Sequence, residues 1–344
     1  MTGLPWLEDA SLFASGSDAL ARLVTWGARE RWWRRVWLPS YYCPDVPAAL
    51  MAAAVPEVEL CSYPDATLGA GAEVSGIPVR PGDAVVIANQ LGVRARPDTA
   101  SIVARGAVVV EDHSHDLASD WALTSTADFA FASLRKTLPI PDGGAVWSPR
   151  ELQLPPEPAI DAEAGDADRL ARALAGRLAA AMTARAGASG SSNDRLRFRA
   201  LARIAAEPGG TAAHRGISPL SRALLPQMPT QAWRERRRAN VAILAEAVAA
   251  VGGARVLSAP PGGVAFALTL VFDTEAARLA AQVELTARAV APVVLWRLAS
   301  GRDWSVGAAD ADLSNRILSI HGDQRYDEAD MHQLAAILRE VLQR

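Results

Sequence analysis

The sequence predicts an α/β protein: a mainly parallel central sheet with helices on both faces, followed by a smaller α+β C-terminal domain. Three observations lead there. Short, continuously apolar runs of strand length recur in the first half, at residues 84–88, 106–110, 129–132 and 144–147, and such runs belong to strands buried on both faces. Helical patterns separate most of them, the alternation that builds parallel sheets. After residue 225 the alternation gives way to one long helical pattern and three spaced strand patterns, which divides the chain into a large domain over 1–225 and a small one over 226–344. A chain of 344 residues, half of them hydrophobic, is long enough for two such units.

The elements follow in order. Residues 18–27 read as a helix with Ser17 or Asp18 near its N-cap. A strand at 35–39, a helix at 46–54 and an alternating strand at 57–61 come next. Residues 84–88 form a buried strand, 99–105 a short helix, and 106–110 a second buried strand that runs into Glu111 and Asp112. Strands at 129–132 and 144–147 complete the first half. Residues 151–166, rich in Pro, Ala and acidic side chains, read as a linker; 167–186 as a helix; and 187–193, Gly-Ala-Ser-Gly-Ser-Ser-Asn, as a flexible connector. A helix over 231–251 is stopped by Gly252 and Gly253, and strands are expected at 265–272, 291–296 and 316–321. The basic run at 234–238 reads as a solvated helix face.

Bulk properties narrow the function. A net charge of −3 argues against a nucleic-acid binder held by phosphate contacts. Two cysteines, Cys43 and Cys61, make no disulfide framework, which suits a reducing compartment. Cys43 reads as a small buried residue, since no catalytic histidine signature accompanies it. No apolar run reaches the roughly 20 residues that cross a bilayer. Residues 1–12 lack a basic region followed by an apolar stretch. A soluble cytoplasmic protein is expected.

Lys136 is the only lysine, against 34 arginines (35 − 1). Where charge alone suffices arginine has replaced it, so the remaining lysine is expected where arginine fails. Arginine stays protonated and cannot act as a free amine, whereas lysine can form an imine with a carbonyl, including the aldehyde of pyridoxal phosphate. That cofactor needs an amine, a carboxylate at its ring nitrogen, donors for its phosphate and a flat group against its ring. Lys136, at the end of a buried strand, is the amine. Asp112, just past Val108-Val109-Val110, is the candidate carboxylate, although a loop carboxylate can equally cap a turn. His115 is placed to reach the ring's phenolic oxygen, or is a polar loop histidine. Ser15-Gly16-Ser17 before a helix offers phosphate donors, and is also an ordinary N-cap. Ser133 is a second phosphate candidate, and Tyr41 or Tyr42 the flat group, with a core tyrosine as the bland alternative. The order of these candidates along the chain carries more weight than any one alone.

At these residues the chain resembles the DegT/StrS family of fold-type I pyridoxal-phosphate sugar aminotransferases. The resemblance is clearest from Val109 to His115 and from Ala127 to Gly144, with 24 positions (136 − 112) between acid and lysine. Ser15-Gly16-Ser17-Asp18-Ala19-Leu20 is similar to the family's phosphate loop. Pro39-Ser40-Tyr41 is similar to its Pro-Thr-Phe, which favours Tyr41 as the stacking ring, and Asn89 sits at its His-x-x-Gly segment. Leu318-Ser319-Ile320 resembles its closing Leu-Ser-Leu. Residues 191–225 show no clear copy of its Asn-Tyr-Arg stretch.

The resemblance implies an aminotransferase with Lys136 and Asp112 as catalytic residues. It implies cofactor contacts from Ser15, Gly16, Ser17, Tyr41, Asn89, His115 and Ser133. An amino donor, glutamate or glutamine, would serve a keto acceptor of the nucleotide-sugar kind, and the site would form in a two-fold homodimer. Arg135 and Arg325 are candidates for a substrate carboxylate or phosphate, or are structural ion-pair partners. A pyridoxal-phosphate enzyme of another reaction class, and a non-catalytic regulatory protein of the same fold, are the rival readings.

Overall fold

The computed structural model describes residues 3–53, 58–65, 73–158, 216–298 and 305–343. The expected helix at 167–186 and connector at 187–193 lie outside these residues, as does the second half, 159–166, of the expected linker.

Seven strands form the large sheet: β1 (Ser11–Phe13), β2 (Arg35–Pro39), β3 (Glu59–Tyr63), β4 (Asp83–Ala88), β5 (Val108–Asp112), β6 (Phe129–Ser133) and β7 (Gly144–Trp147). Their spatial order is β1-β7-β6-β5-β4-β2-β3. The ladder is parallel from β3 through β2, β4 and β5 to β6. It is antiparallel at β6–β7 and β7–β1. The expected mainly parallel sheet is therefore present, with one reversed strand, β7, near one edge and so two antiparallel pairings there. β1 has only three residues and no sequence alternation, so pattern alone does not reveal it.

Helix α1 (Gly16–Arg31) packs Leu20, Leu23 and Val24 against Val36, Leu38, Val86, Val110, Phe129 and Phe131 of the sheet. Fully burying a leucine or valine contributes about 1.5–3 kcal/mol each. Its N-cap is Ser15, not Ser17 or Asp18. Ser15 is extended (φ −149°) and its hydroxyl accepts from the Asp18 backbone N–H at 3.1 Å. The glycine behind it can enter the first turn because it carries no side chain.

A second sheet of three antiparallel strands, β8 (Arg255–Leu257), β9 (Leu268–Val271) and β10 (Ile317–Ile320), lies C-terminal in the order β10-β9-β8. Helices α6 (Thr230–Ala249) and α9 (Glu328–Leu342) cover it, joining Leu244, Val248 and Leu338 to Leu268, Leu270, Leu318 and Ile320. Helices α2 (Asp45–Ala52), α3 (Ala100–Ala104), α4 (Asp120–Leu123), α5 (Pro219–Leu224), α7 (Glu275–Ala287) and α8 (Ala308–Arg316) complete the described elements.

Three expectations are corrected here. Residues 291–296 are not a strand: only Val293 bridges β10, through Ser319, because Pro292 has no N–H with which to extend the ladder. Residues 265–272 pair only from Leu268, since the Phe266 N–H turns away to the Leu91 carbonyl at 2.8 Å. The basic run is solvated only in part. Arg234 and Arg237, one helical turn apart, face inward at 7% and 4% exposure, while Arg236 and Arg238 face out.

A buried polar cluster links the two sheets' layers. Arg94 forms an ion pair with Asp65, both side chains being fully inaccessible. Asp310, at the start of α8, accepts from the Ser40 hydroxyl and from the Asp65 backbone N–H (3.1 Å). Burial and the nearby Asp310 charge outweigh Arg94 and push the Asp65 carboxyl up to about 6. Among the described residues no helix is long and apolar enough to cross a membrane.

Candidate active site

In an open parallel sheet, ligands bind beyond the carboxyl ends of the strands. Registry here aligns three such ends. Ala88 lies opposite Asp112, Asp112 opposite Phe131, and Ser133 opposite Gly144. Asn89, Asp112, His115, Ser133 and Lys136 consequently issue from one edge of β4, β5 and β6.

Asp112 is buried and held from both sides. The Tyr42 hydroxyl donates to its Oδ2 at 2.5 Å, and the Ser114 backbone N–H donates to its Oδ1 at 2.8 Å. The Ser114 hydroxyl in turn accepts from the Ser133 N–H at 2.8 Å, fastening the β5 loop to the end of β6. Ser114 is not marked by the sequence, and Tyr42 is expected there only as an alternative stacking ring, not as a partner of Asp112. An aspartate that accepts from the backbone N–H two residues on is a recognisable Asx turn, whereas nothing local marks Tyr42 rather than Tyr41 as the hydroxyl partner of Asp112.

Lys136 closes a one-turn 3₁₀ helix (Leu134–Lys136) directly after β6. Its Nζ lies 3.4 Å from His115 Nε2 and 5.5 Å from the centre of the Trp296 ring. His115 Nδ1 accepts from the Leu91 N–H at 3.2 Å. Burial, then the charges of Lys136 and Arg237, hold its pKa well below the ordinary histidine range. Nδ1 is thus turned to the Leu91 backbone and Nε2 to the space beside Lys136.

Tyr41 does not meet Asp112. Its hydroxyl donates to the Leu295 carbonyl at 2.6 Å and its ring lies 6.5 Å from Trp296. Phe266 packs edge-on against His115 at 5.0 Å. Trp296, Phe266 and Tyr41 thus form an aromatic wall on the side of Lys136 and His115. Trp296 and Phe266 come from segments expected to be plain strands, and their departure from strand pairing is what frees them for this role.

The start of α1 meets the end of β6. A Cβ added to Gly16 would stand 2.7 Å from the Ser133 Cβ and 2.9 Å from its Cα. Backbone N–H groups of a helix start and the Ser133 side chain therefore share one corner, a form that suits an anion. The Ser15 hydroxyl is engaged with Asp18, donating to Oδ2 at 2.7 Å. Asn89 is buried, its amide nitrogen 3.4 Å from the Ser119 hydroxyl and its Oδ1 without a partner. Arg135 stands half-buried beside Lys136. Arg325 is bound by Asp323 through two contacts of 2.8 and 2.6 Å. The Cys43 thiol is pushed up by burial, which leaves it a poor nucleophile.

No family model and no curated protein matches the sequence. Solved structures do match. DesI, crystallised in the presence of its TDP-sugar product, superposes with a TM-score of 0.62 at 18% identity, covering 100% of this chain and 83% of DesI. DesV from S. venezuelae gives 0.60 at 16%, covering 97% and 85%. A DegT/DnrJ/EryC1/StrS aminotransferase from Brucella abortus gives 0.57 at 17%, covering 98% and 88%. The chain has the fold of these aminotransferases.

That fold makes the Gly16 corner testable. In the aminotransferase fold of this chain, Gly16→Ala forces the helix start away from Ser133, an overpacking cost of about 1–3 kcal/mol. We expect a lower melting temperature and weaker binding of inorganic phosphate. Unchanged melting and unchanged anion affinity would remove the corner from the site.

Proposed function

We propose that the chain is a pyridoxal-phosphate-dependent aminotransferase that carries the amino group of glutamate or glutamine to a keto group on a nucleotide-linked sugar. The observation that carries the reading is the sole lysine of the chain, beside a neutral His115 and one strand away from the doubly held Asp112. The residues present fit the cofactor. Asp112 would face its ring nitrogen, His115 Nε2 its phenolic oxygen, and the Gly16 corner with Ser133 its phosphate. The unpartnered Asn89 Oδ1 is a further buried acceptor at the same edge.

When bound, the cofactor supplies an aldehyde for an amine and a ring that withdraws electrons from the substrate Cα. Lys136 Nζ would hold the cofactor and would carry the proton at the donor Cα. Tyr42 and Ser114 fix Asp112, which would face the ring nitrogen of the cofactor. Trp296, Phe266 and Tyr41 exclude water above Lys136. Residues 1–225 would form the cofactor-binding domain and residues 226–344 the smaller C-terminal domain, in a two-fold homodimer. Arg135, adjacent to Lys136, and Arg325, held by Asp323, are the two candidate substrate arginines. The acceptor class is supported by DesI, which was solved with a TDP-sugar product.

The test is spectroscopic. Reconstituted protein is expected to show a yellow visible band that glutamate or glutamine bleaches, and a TDP-keto sugar then restores it. Size-exclusion chromatography is expected to give a dimer. A band that no amino acid alters would overturn amino transfer, and the absence of any band would overturn the cofactor.

A further inference from the structure

Helix α6 grips both loops that carry the candidate catalytic groups. Arg234 pairs with Asp116, one residue after His115, at 2.9 and 3.2 Å. Three residues later, Arg237 Nη2 donates to Gln324 Oε1 at 3.0 Å, and Gln324 Nε2 donates to the carbonyl of Thr137, one residue after Lys136, at 2.9 Å. Arg237 is buried and lies over the Phe266 ring at 5.7 Å. Asn240, on the same face of α6, donates to the Asp323 carbonyl at 3.0 Å and so holds the turn that presents Gln324. The amide of Gln324 therefore stands between a fixed cation and the backbone of the lysine turn, using its acceptor on one side and its donor on the other.

We propose that Gln324 is a positioning residue for Lys136: it transmits the placement of α6 to the turn after β6 and sets where Nζ stands relative to His115. The inference rests on the proposed function for its consequence in turnover, but not for its geometry. The turn Leu134–Lys136 is short, and a 3₁₀ turn is poorly stabilised by its own hydrogen bonds. An external donor on the Thr137 carbonyl supplies what the turn lacks. Glutamine suits the place because it alone presents both an acceptor to a guanidinium and a donor to a carbonyl at that length.

Two variants separate positioning from mere stability. Gln324→Glu keeps and charges the contact to Arg237, but sets an acceptor against the Thr137 carbonyl. Gln324→Met keeps the volume and loses both contacts. Because Lys136 is the sole lysine, amine-reactive labelling of the cofactor-free protein, read by peptide mass, reports its environment without any turnover. We expect both variants to change the pH profile and rate of Lys136 labelling. Turnover should fall on the order of tenfold to a hundredfold, the scale of a misplaced reacting group, with KM for the donor little altered. Gln324→Glu should melt close to the wild type. If the Lys136 labelling profile and kcat of Gln324→Glu match the wild type, the positioning role is overturned, whatever Gln324→Met does to melting. If the wild type binds no cofactor, the proposed function fails while labelling still decides the role of Gln324.

Discussion

Lys136→Ala is expected to abolish the visible band and to lower amino transfer by about 10⁴-fold or more, the combined scale of a lost nucleophile and a lost proton carrier. No other lysine exists to take over. Lys136→Arg should fail nearly as completely, because a guanidinium keeps the positive charge but offers no free amine. A small added amine should recover part of the Lys136→Ala loss, since it restores a proton acceptor beside His115. Melting should change little. Lys136 is half-buried and its contacts are a 3.4 Å approach to His115 and a cation over Trp296, neither a large share of folding energy. Turnover of Lys136→Arg within tenfold of the wild type would remove Lys136 from the chemistry. So would a band that survives in Lys136→Ala.

The second large effect is on stability. Arg94→Met leaves Asp65 and Asp310 facing each other in a dry interior, and removing one member of a buried charge cluster costs about 3–5 kcal/mol. At pH 8 the melting temperature should fall on the order of 10 °C. The wild type carries a milder form of the same conflict, with two carboxylates for one guanidinium. Asp65 is raised from 3.8 to about 6, so the folded state holds its proton more tightly than the unfolded chain does. Its stabilising contribution is complete below about pH 4 and is lost as pH rises through about 6, a difference of about 3 kcal/mol across that window. Asp310→Asn keeps an acceptor for the Ser40 hydroxyl and the Asp65 N–H, leaves one carboxylate to one guanidinium, and should therefore gain stability at pH 8 and flatten the profile between pH 4 and 8. A melt of Arg94→Met equal to the wild type at pH 8, or an Asp310→Asn profile as steep as the wild type's, would contradict this account.

The strands of the large sheet were legible because each is a short apolar run bounded by turns, and burial on both faces demands that composition. Residues 291–296 have the same composition, yet Pro292 denies them a ladder and Trp296 is spent on the wall beside Lys136. The solvated reading of residues 234–238 failed for a related reason. Charge predicts exposure only when no partner waits inside, and Asp116 and Gln324 wait from 118 (234 − 116) and 87 (324 − 237) residues away. The choice between Tyr41 and Tyr42 was likewise out of reach, since adjacent residues at a strand end point in opposite directions, and only the sheet's neighbours decide which hydroxyl finds Asp112.

The sequence by itself determined the alternation of buried strands and helices, and it singled out one amine, one acid and a glycine-bearing helix start in a fixed order. These are local quantities, set by side-chain polarity, spacing and the chemistry only lysine can perform. The tertiary structure decided the rest: which tyrosine holds Asp112, which nitrogen of His115 faces Lys136, which arginines turn inward, and which aromatic rings stand beside Lys136. Each of these depends on groups brought together from distant parts of the chain, where burial removes water and makes the identity of the nearest partner decisive.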